Sequence, residues 1–246
     1  MNTRFFYVVP IIACCVLLMI ISMSFSNQKT HSEITVKSDT TAYIALLKQI
    51  QKSHDSILQI YNTSTGEKRI VCIENTERYL IETYYKDIIP AWLGTKWEFY
   101  GETEMPGDSS IACGHFVVTT LKHLGCRLEN AHEMATNYSA YMVNSLCDTS
   151  YKVYKGDLLI EIIKKHPDDI WVVGLKNHSA LIVKYRGRIR FVHSSYFLPT
   201  MVIDESIEDS QTFNGSTIYV AGNLFKGNTL TEKWIKGEEI KYRKKY

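Results

Sequence analysis

The hydrophobic period changes along the chain, and that change limits the fold more than any other feature. Up to about Asp157, apolar residues recur every three or four positions, the spacing of helices with one buried side. Later they come in short runs, at residues 170–175, 179–185, 189–194 and 217–222, which predict strands. Arg186-Gly187 is all that separates the second run from the third. A two-residue connection joins only antiparallel strands. Helices followed by hairpin-linked strands predict an α+β chain, with N-terminal helices packed on an antiparallel β-sheet.

The helical half divides at its turn residues. Residues 42–60 read as a helix carrying Ile44, Leu47, Ile50, Ile57 and Ile60, and Thr63 to Gly66 as a turn. Residues 69–73 read as a short apolar strand, and residues 76–89 as a second helix stopped by Pro90. Glycines punctuate residues 92–107, which predict turns. Residues 111–124 form an amphipathic pattern with Phe116, Val117, Leu121 and Leu124 on its apolar side. Residues 131–146 form another, using Met134, Tyr138, Tyr141 and Met142, and Tyr138, Tyr141 and Trp171 are expected in the core. From Thr231 onward six Lys or Arg stand against three Glu, the composition of a solvated basic tail.

The first residues carry a different signal. Residues 5–25 contain no charge and follow Arg4, which predicts an export signal or an N-terminal membrane anchor over residues 1–26. Ile11-Ile12-Ala13-Cys14 also fits a lipoprotein cleavage box, but cutting there leaves residues 16–21 as an apolar new N-terminus. The remainder is expected outside the cytoplasm, in the cell envelope. It divides into a polar linker at 27–41, a helical extension at 42–90, a core at 91–230 and the tail at 231–246. With 28 basic against 26 acidic side chains, no clustered positive surface calls for a nucleic-acid partner. Four cysteines follow the leader, too few for a disulfide scaffold, although pairing of Cys126 with Cys147 stays open.

Phosphate-binding glycine loops, H-E-x-x-H and G-x-S-x-G are all absent. A cysteine and two histidines remain. Cys113 follows Pro106-Gly107-Asp108-Ser109-Ser110, where a loop ends and capping serines start a helix, so it falls in the first helical turn. Free N–H groups and the helix dipole there favour a thiolate and a developing oxyanion. A small buried apolar residue fits the same position. If Arg186-Gly187 is a two-residue loop, Tyr185 pairs with Arg188, His193 falls opposite Ala180, and His178 becomes its diagonal neighbour on one face. Cys113 as nucleophile, His178 as general base and His193 as orienting group then make a set for acyl transfer. A zinc set of Cys113, His115, His123, Cys126 and His132 scatters around its helix, so no metal and no cofactor are expected.

The segment Ala112-Cys113-Gly114-His115-Phe116-Val117 resembles the D-C-S-G-F-V segment of NlpC/P60-type peptidases, papain-like enzymes that cut bacterial cell-wall peptides. Residues 94–101, with Trp97 at the position of a tyrosine, are similar to that family's G-x-x-Y-x-x-G-G. His178-Ser179-Ala180-Leu181-Ile182-Val183 resembles its histidine strand, and Phe191-Val192-His193-Ser194 the strand of its third catalytic residue. The resemblance spans about 100 residues in the family's order. It implies a papain-like NlpC/P60-type core, amide hydrolysis in peptidoglycan stem peptides through a thioester, and Trp97 lining the substrate pocket. Asn177-His178-Ser179 is formally a glycosylation triplet, and a glycan there would obstruct the base, which favours a bacterial source. Two alternatives stay open: an acyl hydrolase or amidase on another substrate, and a non-enzymatic envelope protein that keeps the fold.

Overall fold

Asp39 accepts hydrogen bonds from the backbone of Thr41 and Ala42 and so caps helix α1, Thr40–Thr63. The computed structural model describes residues 39–244, so the leader at 1–26 and most of the linker lie outside the described residues. The linker's last two residues, Thr40 and Thr41, already belong to α1. Helix α1 buries Tyr43, Ile50 and Tyr61, while Ile44 and Ile60 face solvent. The aromatic rings therefore set its buried stripe.

Residues 69–73 are not a strand. They lie within helix α2, Glu67–Thr83, which starts at Gly66 with φ +54°. Cys72, Thr76 and Leu80 are buried at helical spacing, whereas Ile70 and Val71 are exposed, so this apolar run spans two sides of one helix. Pro90 does not stop the chain either. A π-helical turn, Tyr84–Ile88, leads into α3, Ile89–Trp92, and places Pro90 in a first turn that does not need its missing N–H. Trp92 Nε1–H donates to the Tyr43 hydroxyl at 2.8 Å, joining α3 to α1.

Helix α4 is Cys113–His123, and Phe116, Val117 and Leu121 on it are buried with Leu124 just beyond. The short strand β1, Arg127–Leu128, follows. The single helix expected over 131–146 is two, α5 at Ala131–Thr136 and α6 at Ser139–Leu146, with Asn137 in extended conformation between them. Met134 and Met142 are buried, but the break turns Tyr138 outward, 76% exposed, and out of the core. Trp171 is fully buried.

Strand β2, Tyr151–Val153, and helix α7, Gly156–Lys165, precede the three central strands. These are β3, Asp169–Leu175, β4, His178–Tyr185, and β5, Arg188–Ser194. Then come β6, Val202–Ser206, α8, Gln211–Asn214, and β7, Tyr219–Asn223. The six strands are ordered β2-β7-β3-β4-β5-β6, every ladder antiparallel. Arg186 and Gly187, with φ +50° and +75°, make the two-residue turn, and Tyr185 pairs with Arg188.

Alternate residues of the sheet enter two cores. Val172, Leu181, Val183 and Val192 pack with Phe116, Val117 and Leu121 of α4. Trp171, Val173, Ala180, Ile182 and Phe191 pack with Leu159 and Ile163 of α7. This is an α+β fold with helices packed on an antiparallel sheet.

The tail is built in. Helix α9, Thr229–Lys236, buries Leu230, Trp234 and Ile235, and β8, Glu239–Ile240, pairs in parallel with β1. Lys233 and Lys236 lie on this amphipathic helix outside its buried stripe. The described residues fall within one compact unit. Cys126 and Cys147 are separate, buried, free thiols; Cys147 lies against Gly222 of β7. Among the described residues no helix is long and apolar enough to cross a membrane.

Candidate active site

Cys113 is the first residue of α4, as the loop-to-helix pattern requires. The helix is not opened by a serine. Its N-cap is Ala112, which offers no capping side chain, and Ser110 Oγ instead donates to Glu98 at 3.0 Å. The first N–H used within the helix is that of Phe116, bonded to the Ala112 carbonyl at 2.9 Å. The N–H groups of Cys113 and Gly114 are therefore not used within the helix, and both favour the charged form of the thiol. Burial nevertheless pushes the Cys113 thiol above its usual range, against the N–H donors of Ser179, Gly114 and Cys113 itself. The expectation of a resting thiolate from the helix terminus alone gives way to desolvation.

The influence of the Ser179 backbone on the thiol places it near the sheet. Successive N–H groups of β4 point alternately to β3 and β5. The β4–β5 pairing extends from Tyr185–Arg188 to Leu181–Val192, and the next positions in register are Ala180 with His193 and Ser179 with Ser194. Beyond the ladder, the Ser179 backbone favours the charged form of the Cys113 thiol, and Ser194 Oγ donates to the Ile111 carbonyl at 2.7 Å. The segment leading into α4 thus takes the bonds where β4 and β5 part.

His178 and His193 meet across the same opening. The diagonal register brings their rings to 4.9 Å between centroids, and His178 Nε2 lies 2.9 Å from His193 Nδ1. Both residues are buried. Sequence reasoning missed the next member. Glu205 pairs with Phe191 across β5 and β6, and its Oε1 is 3.2 Å from His193 Nε2. Burial raises the Glu205 carboxyl, but hydrogen bonds from His193 and Ser210 outweigh it and keep the group below the usual carboxylate range.

An ionised Glu205 sets every proton in this series. It accepts from His193 Nε2–H, and in the tautomer this favours His193 Nδ1 is a lone pair. That lone pair accepts from His178 Nε2–H. His178 Nδ1 is then a bare lone pair, and this buried atom has no hydrogen-bond partner among the described residues. Burial, and secondarily His193, pushes the His178 ring well below its usual pKa, so it rests neutral.

Trp97 is half-buried. Its ring meets Tyr196 at 6.2 Å, and Tyr196 meets the His178 ring edge-on at 5.3 Å. The tryptophan thus reaches the histidine through a second aromatic residue that sequence reasoning did not single out. Of the residues weighed for zinc, His123 bonds Tyr43 at 2.9 Å and Cys126 is buried elsewhere. His115 and His132 come together, with ring centroids 5.4 Å apart, and Glu102 joins them. No family model matches the chain, and no curated protein or solved structure matches it significantly.

Proposed function

We propose that this chain is an exported cysteine hydrolase with a papain-like, NlpC/P60-type core, cleaving amide bonds of peptidoglycan stem peptides. The observation that carries the reading is the buried Nδ1 of His178, which has no hydrogen-bond partner among the described residues and stands next to Ser179, whose backbone favours the Cys113 thiolate. A buried acceptor without a donor costs about 1–3 kcal/mol, and a role as proton acceptor accounts for it here. The uncharged run at residues 5–25 supports a place outside the cytoplasm, tethered or released at the envelope.

In this mechanism the Cys113 thiol attacks the amide carbonyl as its proton passes to His178 Nδ1. The N–H groups of Cys113 and Gly114 face the developing oxyanion. The tetrahedral adduct collapses to a thioester, and His178 gives the proton to the leaving amine. Water then attacks the thioester with His178 as base, releasing the acid and restoring the thiol. Glu205 and His193 hold the tautomer, and Trp97 with Tyr196 lines the approach. The sequence requires no cofactor.

The test is alkylation of the full-length protein at neutral pH, mapped by mass spectrometry, followed by digestion of isolated muropeptides. Cys113 is expected to react at least about tenfold faster than Cys126 and Cys147 and to slow at least about tenfold in His178→Ala. Muropeptides should then release a free amine. A Cys113 rate indifferent to His178→Ala overturns the enzyme and leaves an envelope scaffold. A His178-dependent thiol that leaves every muropeptide intact overturns the substrate and directs the search to other acyl groups.

A further inference from the structure

The three elements around the Cys113 turn hold a second group of chemistry-bearing side chains. His115 lies two residues beyond Cys113, about 200° around α4, and so points away from the thiol. His132 stands on α5, and Glu102 on the segment whose backbone bridges Ile111. The close approach of α5 to α4 depends on Gly114, because a Cβ there would lie 1.9 Å from the Ala135 carbonyl oxygen. The Ala112 N–H donates to the Gly101 carbonyl at 2.8 Å, which fixes the Glu102 backbone beside the start of α4. Each of the three residues is therefore held by the fold.

Their spacing is that of ligands without direct bonds. His115 Nε2 is 3.9 Å from Glu102 Oε1, and His132 Nδ1 is 3.7 Å from Glu102 Oε2. Both separations exceed hydrogen-bond reach. One ligand atom from each of the three lies within 4.8 Å of the others. Tetrahedral zinc with bonds of about 2.0–2.1 Å places its ligand atoms about 3.3 Å apart, so closing on a metal shortens the widest separation by at most about 1.5 Å, within reach of side-chain rotation. The His115 side chain is sheltered at 13% exposure, while His132 and Glu102 are 66% and 53% exposed, which leaves one side open to solvent.

We propose that Glu102, His115 and His132 bind one zinc ion, as a two-histidine, one-carboxylate site with an open fourth position. The ion ties the 95–103 segment and α5 to the first turn of α4. It stands on the side of that turn opposite the thiol and takes no part in hydrolysis.

Metal-stripped full-length protein would be titrated with Zn²⁺ by calorimetry and with Co²⁺ by visible absorption. One equivalent should bind, with cobalt bands of four- or five-coordinate geometry and no thiolate charge-transfer absorption. His132→Ala and Glu102→Gln should each weaken binding at least about tenfold, and Cys113→Ser should leave it unchanged. Circular dichroism of the metal-free variants shows that the loss is not unfolding. Absence of stoichiometric binding, or indifference to His132→Ala and Glu102→Gln, overturns the site. Loss in Cys113→Ser overturns it too, since the metal would then sit on the thiol. Because the Cys113→Ser protein is tested for binding alone, this result is independent of whether the chain hydrolyses anything.

Discussion

Two groups of the same composition, two histidines and one glutamate, flank the first turn of α4. In one, His178, His193 and Glu205 are joined by contacts of 2.9 and 3.2 Å, and both rings are buried. In the other, Glu102 stands 3.9 and 3.7 Å from His115 and His132, with solvent on one side. The difference is geometric, and it decides the chemistry. Closed contacts with water excluded fix which nitrogen carries which proton, which suits a base. Open gaps leave three ligand-type atoms within 4.8 Å of one another without direct bonds, which suits a cation. Residue type alone does not distinguish them.

The largest expected effect breaks the first group at its far end. Glu205→Gln replaces an acceptor-only carboxylate by an amide that can donate as well as accept, so the tautomers of His193 and His178 are no longer set. Under the proposed mechanism kcat should fall about 10²–10⁴-fold, by analogy with removing the orienting charge of a catalytic triad. Glu205 touches neither thiol nor substrate, so it is a positioning residue. The distinguishing readout is a changed pH profile of kcat at unaltered KM. An unchanged kcat removes Glu205 from the relay.

The sequence made the two histidines legible because one turn carries the register. Arg186-Gly187 has only two residues, and counting outward from Tyr185–Arg188 reaches His193 without further information. Glu205 was not reachable in this way. Seven residues, 195–201, separate β5 from β6, so no turn type sets the pairing of Phe191 with Glu205. The Glu102 group was hidden for a related reason, since loops bring its members together and the helical-wheel argument considered α4 alone. The 69–73 misreading has another origin: a four- or five-residue apolar run has no period of its own, and only the burial of Cys72, Thr76 and Leu80 reveals the helix. Tyr138 was lost because nothing in its composition marks the break at Asn137.

Gly114 is where the two groups meet, and Gly114→Ala should disturb both. The new methyl would overlap the Ala135 carbonyl, so α5 must move or α4 must tilt. A loss of about 1–3 kcal/mol in denaturant unfolding is expected, the cost of overpacking a tight contact. Zinc affinity and Cys113 alkylation should fall together. Retention of both at full stability would show that the helices yield without cost.

Burial also gives the first group a response to acid. His178 binds its proton less readily in the folded protein than in the unfolded chain, so the folded pKa lies well below about 6.5. Its contribution to stability is fully present above about pH 6.5 and is lost as pH falls from there toward the folded value. The loss can reach about 1.4 kcal/mol per pH unit. Unfolding free energies measured between neutral pH and mild acid should show this slope, and His178→Gln should flatten it. An equal slope in the variant would assign acid sensitivity to other groups.

The smallest effect belongs to His132 and sharpens the contrast most finely. Its side chain is 66% exposed and is not within hydrogen-bond reach of Glu102. In metal-free protein His132→Ala should therefore change stability by no more than about 0.5 kcal/mol, as for an ordinary surface substitution. Zinc changes that outcome. A ligand that binds only the folded state stabilises it by about 2.7 kcal/mol when present at about 100 times its Kd. Wild-type Tm should rise with added Zn²⁺, and that of His132→Ala should stay near its metal-free value. A large metal-free cost would instead mean that His132 already holds α5 in place without an ion, making the open group a structural contact like its buried counterpart.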